Sequence, residues 1–276
     1  MPGRPGASRA ERRAAARSGY FAGPLPRVLA HRGLATSVPE NTLAAFEAAV
    51  AAGAEYLETD VHATADGIAV AAHDPTLDRI AGRDEEIAAL TLEQLAAVDL
   101  GGDQRFSTLA ELLVALPASR FNIDVKAEAA AAPAAAAIEA AGARDRVLLT
   151  SFSARRRRSA SVLLPGVATS ASAQEFVPAL VAAKLGLTPL ARLFLRRVDA
   201  VQIPRRIGRI ETVTARTVRR LQAAGVEVHV WTINDVDEAR LLLERGVDGI
   251  VTDRVDLMLP LAAEFRRRAR GRGRQQ

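Results

Sequence analysis

Nine short β-type runs punctuate this chain, and most are separated by segments of helical period; no other feature narrows the fold as much. The runs fall at 28–31, 55–62, 68–73, 121–126, 147–152, 167–170, 200–203, 226–233 and 249–252. Helix-period segments lie between them at 42–52, 109–116, 129–141, 214–224 and 235–245. Gly53, Gly142, Gly225 and Gly246 stand where helix C-caps belong. Strand–helix alternation implies parallel strands joined by helical crossovers. The run 68–73 is the exception. Only Ala63–Gly67 separates it from the run before, and Asp66-Gly67 is a hairpin signal. It is too close for a parallel crossover and should run back antiparallel. Eight βα units over about 230 residues remain, the size of a (β/α)8 barrel. The expected class is therefore α/β, a TIM barrel. An open doubly wound sheet is the second choice, but His31-Arg32-Gly33 opens no GxGxxG turn after the first strand.

The segment 74–118 reads as a small inserted subdomain, placed after a strand end and so over the C-terminal face of a barrel. The segment 176–198 is apolar but broken by Pro178, Gly186 and Pro189. Two short packed helices are expected there, with a lipid-facing lip as the alternative. Apolar residues make up 49% and charged residues 25% of the 276, the balance of a globular protein. There is no cysteine, which excludes disulfides, thiolate metal sites and cysteine nucleophiles. No apolar run is long enough to span a bilayer, and the basic N-terminus lacks the apolar core of a secretory signal. The expected location is cytoplasmic, with peripheral membrane association left open.

The net charge of +5 is uneven. Residues 1–27 and 264–276 each carry six Arg and one Glu, so the body between them is acidic. Residues 1–24 and 263–276 are rich in Arg, Ala and Gly and are expected to be disordered basic tails around a barrel spanning 25–262. Solvation, rather than specific nucleic-acid binding, is the expected role of the tails, because no aromatics interleave their charges. Only Lys126 and Lys184 among the 37 basic residues are lysines.

Lys126 stands in a chemically dense place. In Tyr56-Leu57-Glu58-Thr59-Asp60-Val61-His62, residues 58, 60 and 62 share one face of a strand. In Phe121-Asn122-Ile123-Asp124-Val125-Lys126, residues 122, 124 and 126 do the same. Carboxylates buried together repel unless they face water or a cation, and hard divalent ions take such oxygen ligands. Inward positions near strand C-terminal ends of a barrel converge. Glu58, Asp60 and Asp124 are thus candidate ligands, and Lys126 is suited to a phosphate oxygen. His31 ends the first strand beside Arg32, a donor fork that also suits phosphate. A two-residue turn at Asp66-Gly67 would place His73 opposite Asp60. Two imidazoles can then divide general-acid and general-base work. His62 and His229 are assigned structural roles, and Ser151 and Ser153 structural or pocket-lining ones. GxSxG, HExxH and GxxxxGK[ST] are all absent.

The ordered motifs are His31-Arg32-Gly33, Pro39-Glu40-Asn41-Thr42, Glu58-Thr59-Asp60-Val61, Asp66-Gly67, His73-Asp74, Asn122 to Lys126, Trp231-Thr232-Ile233-Asn234 and Gly246 to Asp253. Together they closely resemble the glycerophosphodiester phosphodiesterase family, over about residues 28–256. The resemblance implies a barrel of the phosphatidylinositol-specific phospholipase C type. It implies an acid–base pair in His31 and His73, and one divalent cation, Mg2+ or Ca2+, on Glu58, Asp60 and Asp124. Arg32 and Lys126 would hold the phosphate and Trp231 would line the pocket. Asn41 or Thr42 would cap the first helix, and Glu40 would orient the site. The implied products are glycerol 3-phosphate and an alcohol. The attacking oxygen is that of water or of the neighbouring glycerol hydroxyl. The family usually has Glu where this chain has Asp124, one methylene shorter. In that Asp-x-Lys the chain is similar to spider-venom sphingomyelinase D-type phospholipases, which opens a lysophospholipid or sphingophospholipid substrate as the alternative. A catalytically silent phosphodiester-binding barrel is the reading from another class. The sequence does not give the oligomeric state.

Overall fold

The computed structural model describes residues 18–272, and every structural statement below concerns those residues. Eight parallel strands run in the order β6-β5-β4-β2-β1-β11-β10-β7. They are β1 (Arg27–His31), β2 (Tyr56–Ala63), β4 (Arg120–Val125), β5 (Val147–Thr150), β6 (Ala168–Thr169), β7 (Ala200–Pro204), β10 (Glu227–Trp231) and β11 (Gly249–Thr252). A parallel bridge between Ser170 and Ala200 joins the two ends of that order, so the sheet closes into a barrel. β3 (Ala69–Ala71) pairs antiparallel with β2, and β8 (Arg206–Ile207) with β9 (Ile210–Glu211) forms a separate two-stranded ribbon. This is the α/β barrel expected from the alternation.

The closure sorts side chains by parity. Val28, Ala30, Leu57, Phe121, Ile123, Val147, Val201 and Ile250 point outward and pack under the helices in one core. Leu29, Tyr56, Leu148, Ala168, Ala200 and Val251 fill the interior with Tyr20 and Phe21. Side-chain caps set the helix starts: Thr42, Ser153, Thr214 and Asp235 each accept from a backbone N–H three residues on. Thr42, not Asn41, caps the first helix, Leu43–Ala51.

The inserted subdomain has its own small core of Val70, Leu77, Ile87, Leu95, Val98 and Phe106. It ends earlier than expected, because the helix Leu109–Ala115 already belongs to the barrel's outer layer. The segment 176–198 resolves into two helices, Ala173–Leu185 and Thr188–Leu195. No helix is long and apolar enough to cross a membrane.

Two expectations need correction. The turn of this hairpin has three residues, 65–67, not two: Thr64 N donates to Ile68 O across them, and Gly67 takes positive φ. The register is therefore Val61 to Ala71 and His62 to Val70, so Ala72, not His73, faces Asp60. The inner parts of both expected tails are ordered. Gly19–Ala22 forms a turn of 3-10 helix that buries Tyr20 and Phe21, and the last helix, Val255–Arg272, runs through positions assigned to the C-terminal tail. Residues 1–17 and 273–276 of those tails lie outside the described part.

Candidate active site

The site is assembled at the C-terminal ends of β1, β2, β4, β10 and β11. Glu58 is paired with Asn122 and Asp60 with Asp124 across the β2–β4 ladder, so the two acidic patterns share one inward face as expected. Glu58, Asp60 and Asp124 are all buried. The turn that follows β1 is tightly built. Arg32 and Asn41 both take left-handed backbone conformations, Arg32 N donates to Glu58 O at 2.9 Å, and Asn41 N donates to Arg32 O at 3.0 Å. The Asn41 side chain accepts from Thr59 Oγ1 at 2.8 Å, which leaves the capping of the first helix to Thr42, the other of the two candidates.

His31 and His73 are each held through Nδ1 by a carboxylate. His31 lies 2.6 Å from Asp253 Oδ1, and His73 lies 2.7 Å from Asp74 Oδ1. An ionised carboxylate only accepts, so Nδ1 carries the proton in both rings and Nε2 is left for other work. Nε2 of His31 faces Glu58 Oε2 at 3.9 Å. Asp253 is itself oriented by Asn234 Nδ2 at 2.6 Å. From His73 a run of ion pairs leads inward. Asp74 pairs with Arg79, which shares Glu40 with Arg32, and Arg32 Nε lies 3.1 Å from Asp60 Oδ2. Lys126 closes the run, its Nζ 2.7 Å from Asp60 and 2.8 Å from Asp124. Arg32 and Lys126, expected on phosphate, here pair with carboxylates. His62 shares the inward face of β2 and donates through Nε2 to His73 O at 3.2 Å, so it supports the backbone of its neighbour.

The electrostatics follow from this crowding. Burial and the charge of Asp60 push the Glu58 carboxyl up to about 8. Burial likewise raises Asp124, against the pull of Lys126. Burial alone would lower His31, but the Asp253 hydrogen bond and the Glu58 charge outweigh it and raise the imidazole. Asp253 is held low by the His31 hydrogen bond, and Asp74 is held low, against burial, by Arg79 and His73. Burial lowers His62.

Asp253, Asn234 and Asp74 stand inside motifs recognisable in the sequence, yet their roles emerge only from geometry. Arg79 gave no signal, being a half-exposed residue on a short helix of the insertion. Trp231 lines an apolar groove at the rim, edge to face with Phe152 at 5.9 Å between ring centres. Ser151 also lines that groove, while Ser153 caps a helix. His229 is fully buried against Glu227 at the opposite end of the barrel, as its structural assignment requires.

The model of the Glycerophosphoryl diester phosphodiesterase family matches residues 31–257. The chain belongs to this family. It is 42% identical over 232 residues to a probable glycerophosphodiester phosphodiesterase 2 of Mycobacterium tuberculosis (strain ATCC 25618 / H37Rv), spanning 83% of this chain and 88% of that protein. Among solved structures, it is similar to a phosphodiesterase of Oleispira antarctica in complex with the product sn-glycerol-3-phosphate. That match has a TM-score of 0.73 at 26% identity, over 90% of this chain and 99% of the other. A glycerophosphodiester phosphodiesterase of Thermotoga maritima superposes with a TM-score of 0.68 at 26% identity, over 87% and 99% of the two chains. These family matches bear out the resemblance carried by the sequence motifs.

Proposed function

We propose that this chain hydrolyses glycerophosphodiesters to glycerol 3-phosphate and an alcohol, with His31 and His73 as the proton-transfer pair. The observation that carries this reading is the pair of Nδ1-anchored imidazoles at the mouth of a family barrel, one with Nε2 turned to a buried carboxylate. In the net reaction the oxygen of water bonds to phosphorus and the P–O bond to the alcohol breaks. One imidazole takes the proton of the attacking oxygen and the other returns a proton to the leaving alkoxide. Arg32 and Lys126, both cationic and both only partly buried, are placed to exchange a carboxylate for a phosphate oxygen.

The donor chemistry fits one hard divalent cation on Glu58, Asp60 and Asp124. All three are buried carboxylates on adjacent strands, Asp124 Oδ1 has no hydrogen-bond partner, and burial, with the charge of Asp60, pushes Glu58 up to about 8. As arranged, these side chains turn to Lys126 and Arg32, and among the described residues no three His, Asp or Glu groups gather around one point. A bound ion supplies Lewis acidity toward a phosphoryl oxygen. Mg2+ and Ca2+ both suit the oxygen donors.

The test is glycerophosphocholine turnover by the full chain, before chelation, after it, and after adding back Mg2+ or Ca2+. Activity should vanish with EDTA and return with one of the ions. Undiminished turnover after thorough chelation removes the metal role. Failure to cleave any glycerophosphodiester with either ion removes the phosphodiesterase reading itself.

A further inference from the structure

The inserted subdomain sends a charged side chain toward the site. Arg79 stands on the short helix Asp78–Ala81, and its guanidinium bridges two carboxylates from different loops. Nε donates to Asp74 Oδ2 at 2.5 Å, and Nη2 donates to Glu40 Oε1 at 2.6 Å. Glu40 lies in the loop between β1 and the helix Leu43–Ala51, and Asp74 lies just beyond β3. Each carboxylate serves a residue placed in the reaction. Asp74 Oδ1 holds Nδ1 of His73 at 2.7 Å, and Glu40 Oε1 also accepts from Arg32 Nη1 at 3.1 Å. One fork thus stands behind both an imidazole and a phosphate-facing guanidinium. A planar guanidinium can serve two acceptors along one edge in fixed geometry, which the point charge of a lysine cannot.

The insertion is built to hold that fork in place. Leu77, directly before the helix, is fully buried in a core with Val70 and Ile87. Leu77 N donates to Glu85 O and Ile87 N to Pro75 O, which ties down the base of the helix. The adjacent acid, Asp78, accepts from Thr76 Oγ1 at 2.9 Å, so Arg79 is left to the two site carboxylates. With Asn41, His73, Asp74 and Phe106, Arg79 lines a cavity of only about 10 Å³, room for one water at most, so the insertion sits closely on the loops that carry the site. Burial would raise Asp74, but the hydrogen bonds from Arg79 and His73 outweigh it and hold it low. The carboxylate therefore stays ionised, acts only as an acceptor, and keeps the proton on His73 Nδ1. The Arg79 side chain is itself 51% exposed, and ion pairs open to water add little to stability. The bridge matters more to the geometry of the site than to the fold.

We propose that Arg79 is a positioning residue of the hydrolysis: through Asp74 it sets the His73 ring, and through Glu40 it steadies Arg32. The proposal rests on the phosphodiesterase reading and adds to it a residue outside the motifs that carry that reading. It gives the inserted subdomain a part in the reaction without contact with the substrate. Without Arg79, the partly exposed Asp74 can swing toward water, and an imidazole no longer held by a carboxylate loses its single tautomer.

The test compares the full chain with its Arg79→Ala variant on glycerophosphocholine, with Mg2+ or Ca2+ added. The variant's kcat should fall about 10–100-fold, the usual cost of losing a group that orients another, while KM and melting temperature hold. Arg79→Ala added to Asp74→Asn should lower kcat no further than Asp74→Asn alone, because residues that act through one another are not additive. Nitrogen NMR shifts of the His73 ring, taken at alkaline pH where imidazoles are neutral, should show the Nδ1–H form in the parent and a mixture of tautomers in Arg79→Ala. Parental kcat in the variant overturns the proposal. So does a raised KM with kcat kept, which makes Arg79 a substrate contact. A loss that multiplies with that of Asp74→Asn separates the two residues and also overturns it, as does a fall in melting temperature in step with the loss of rate. A parent that cleaves no glycerophosphodiester removes the phosphodiesterase reading alone. The ring shifts then still decide whether Arg79 sets His73, and shifts unchanged by Arg79→Ala overturn that.

Discussion

His31 is made useful by its neighbours. Asp253 fixes the Nδ1 proton at 2.6 Å, Asn234 fixes Asp253, and Glu58 faces the free nitrogen. The burial of the ring works against its cationic form, and the hydrogen bond to Asp253, together with the Glu58 charge, reverses that and raises it. The two contributions can be separated by mutation. His31→Ala and His73→Ala should each lower kcat about 10²–10⁴-fold while circular dichroism stays unchanged, the usual range for losing a proton-transfer group. Asp253→Asn should cost less in rate but move a pH limb. With the carboxylate gone, burial dominates, His31 releases its proton at lower pH, and the limb it governs in kcat/KM shifts toward acid. A profile that stays in place, or one that shifts toward alkali, shows that Asp253 does not set the protonation of His31.

The turn between β1 and the helix Leu43–Ala51 shows why a motif has the residues it has. Arg32 and Gly33 both take positive φ, and a Cβ on Gly33 would lie 2.6 Å from the carbonyl carbon of Ala45. Backbone cannot yield there as a flexible side chain could. Gly33→Ala should therefore cost about 2 kcal/mol or more, combining a strained backbone with overlap. For a chain of this size that is a fall in melting temperature of roughly 2–4 °C per kcal/mol. A melting temperature equal to that of the parent would mean that the turn relaxes freely, and Arg32 would then not be held in place by Gly33. Elements of this kind divide what the sequence discloses from what it does not. The inward faces of β2 and β4 were legible because strand parity is local: Glu58, Asp60 and Asp124 share that face, and Lys126 pairs with Asp60 and Asp124. The hairpin register was not, because it turned on Thr64, whose hydroxyl accepts from Ile68 N and donates to Asp66, adding a residue to the loop. The pairings of His31 with Asp253 and His73 with Asp74 were not legible, although all four residues stand in recognisable motifs. The first joins residues at opposite ends of the chain, and the second depends on where β3 stops.

Taken whole, the barrel has one end that opposes stability and one that supplies it. At the mouth, Glu58 and Asp124 are raised by burial, so holding them charged near neutrality works against the fold. At the floor, residues 18–24, which composition alone assigned to a disordered tail, lie across the N-terminal ends of the strands. There Arg27 donates to both oxygens of Glu227 at 2.8 Å, to Tyr56 Oη at 2.5 Å, and to the carbonyls of Phe21 and Gly23. Burial of these residues was invisible in the sequence because it needs the N-terminal ends of β1, β2 and β10 gathered at one end of the closed barrel. Burial would raise Glu227, but hydrogen bonds from Arg27 and His229 outweigh it and bring the carboxyl from 4.5 down to about 2. Its folded value is depressed, so the stability it contributes is fully present above its unfolded value of 4.5 and is lost as pH falls through about 2. By linkage the contribution is about 3 kcal/mol. Urea unfolding of the parent should therefore weaken steeply from about pH 4.5 to pH 2, while Glu227→Gln should show a shallower slope in that window. The single variant also strands Arg27 in the interior and should lose about 3–5 kcal/mol at pH 7, whereas the Arg27→Met/Glu227→Met pair should regain much of that loss and keep the shallow slope. Equal acid slopes in the parent and the double variant would place the acid sensitivity of this barrel elsewhere than its floor.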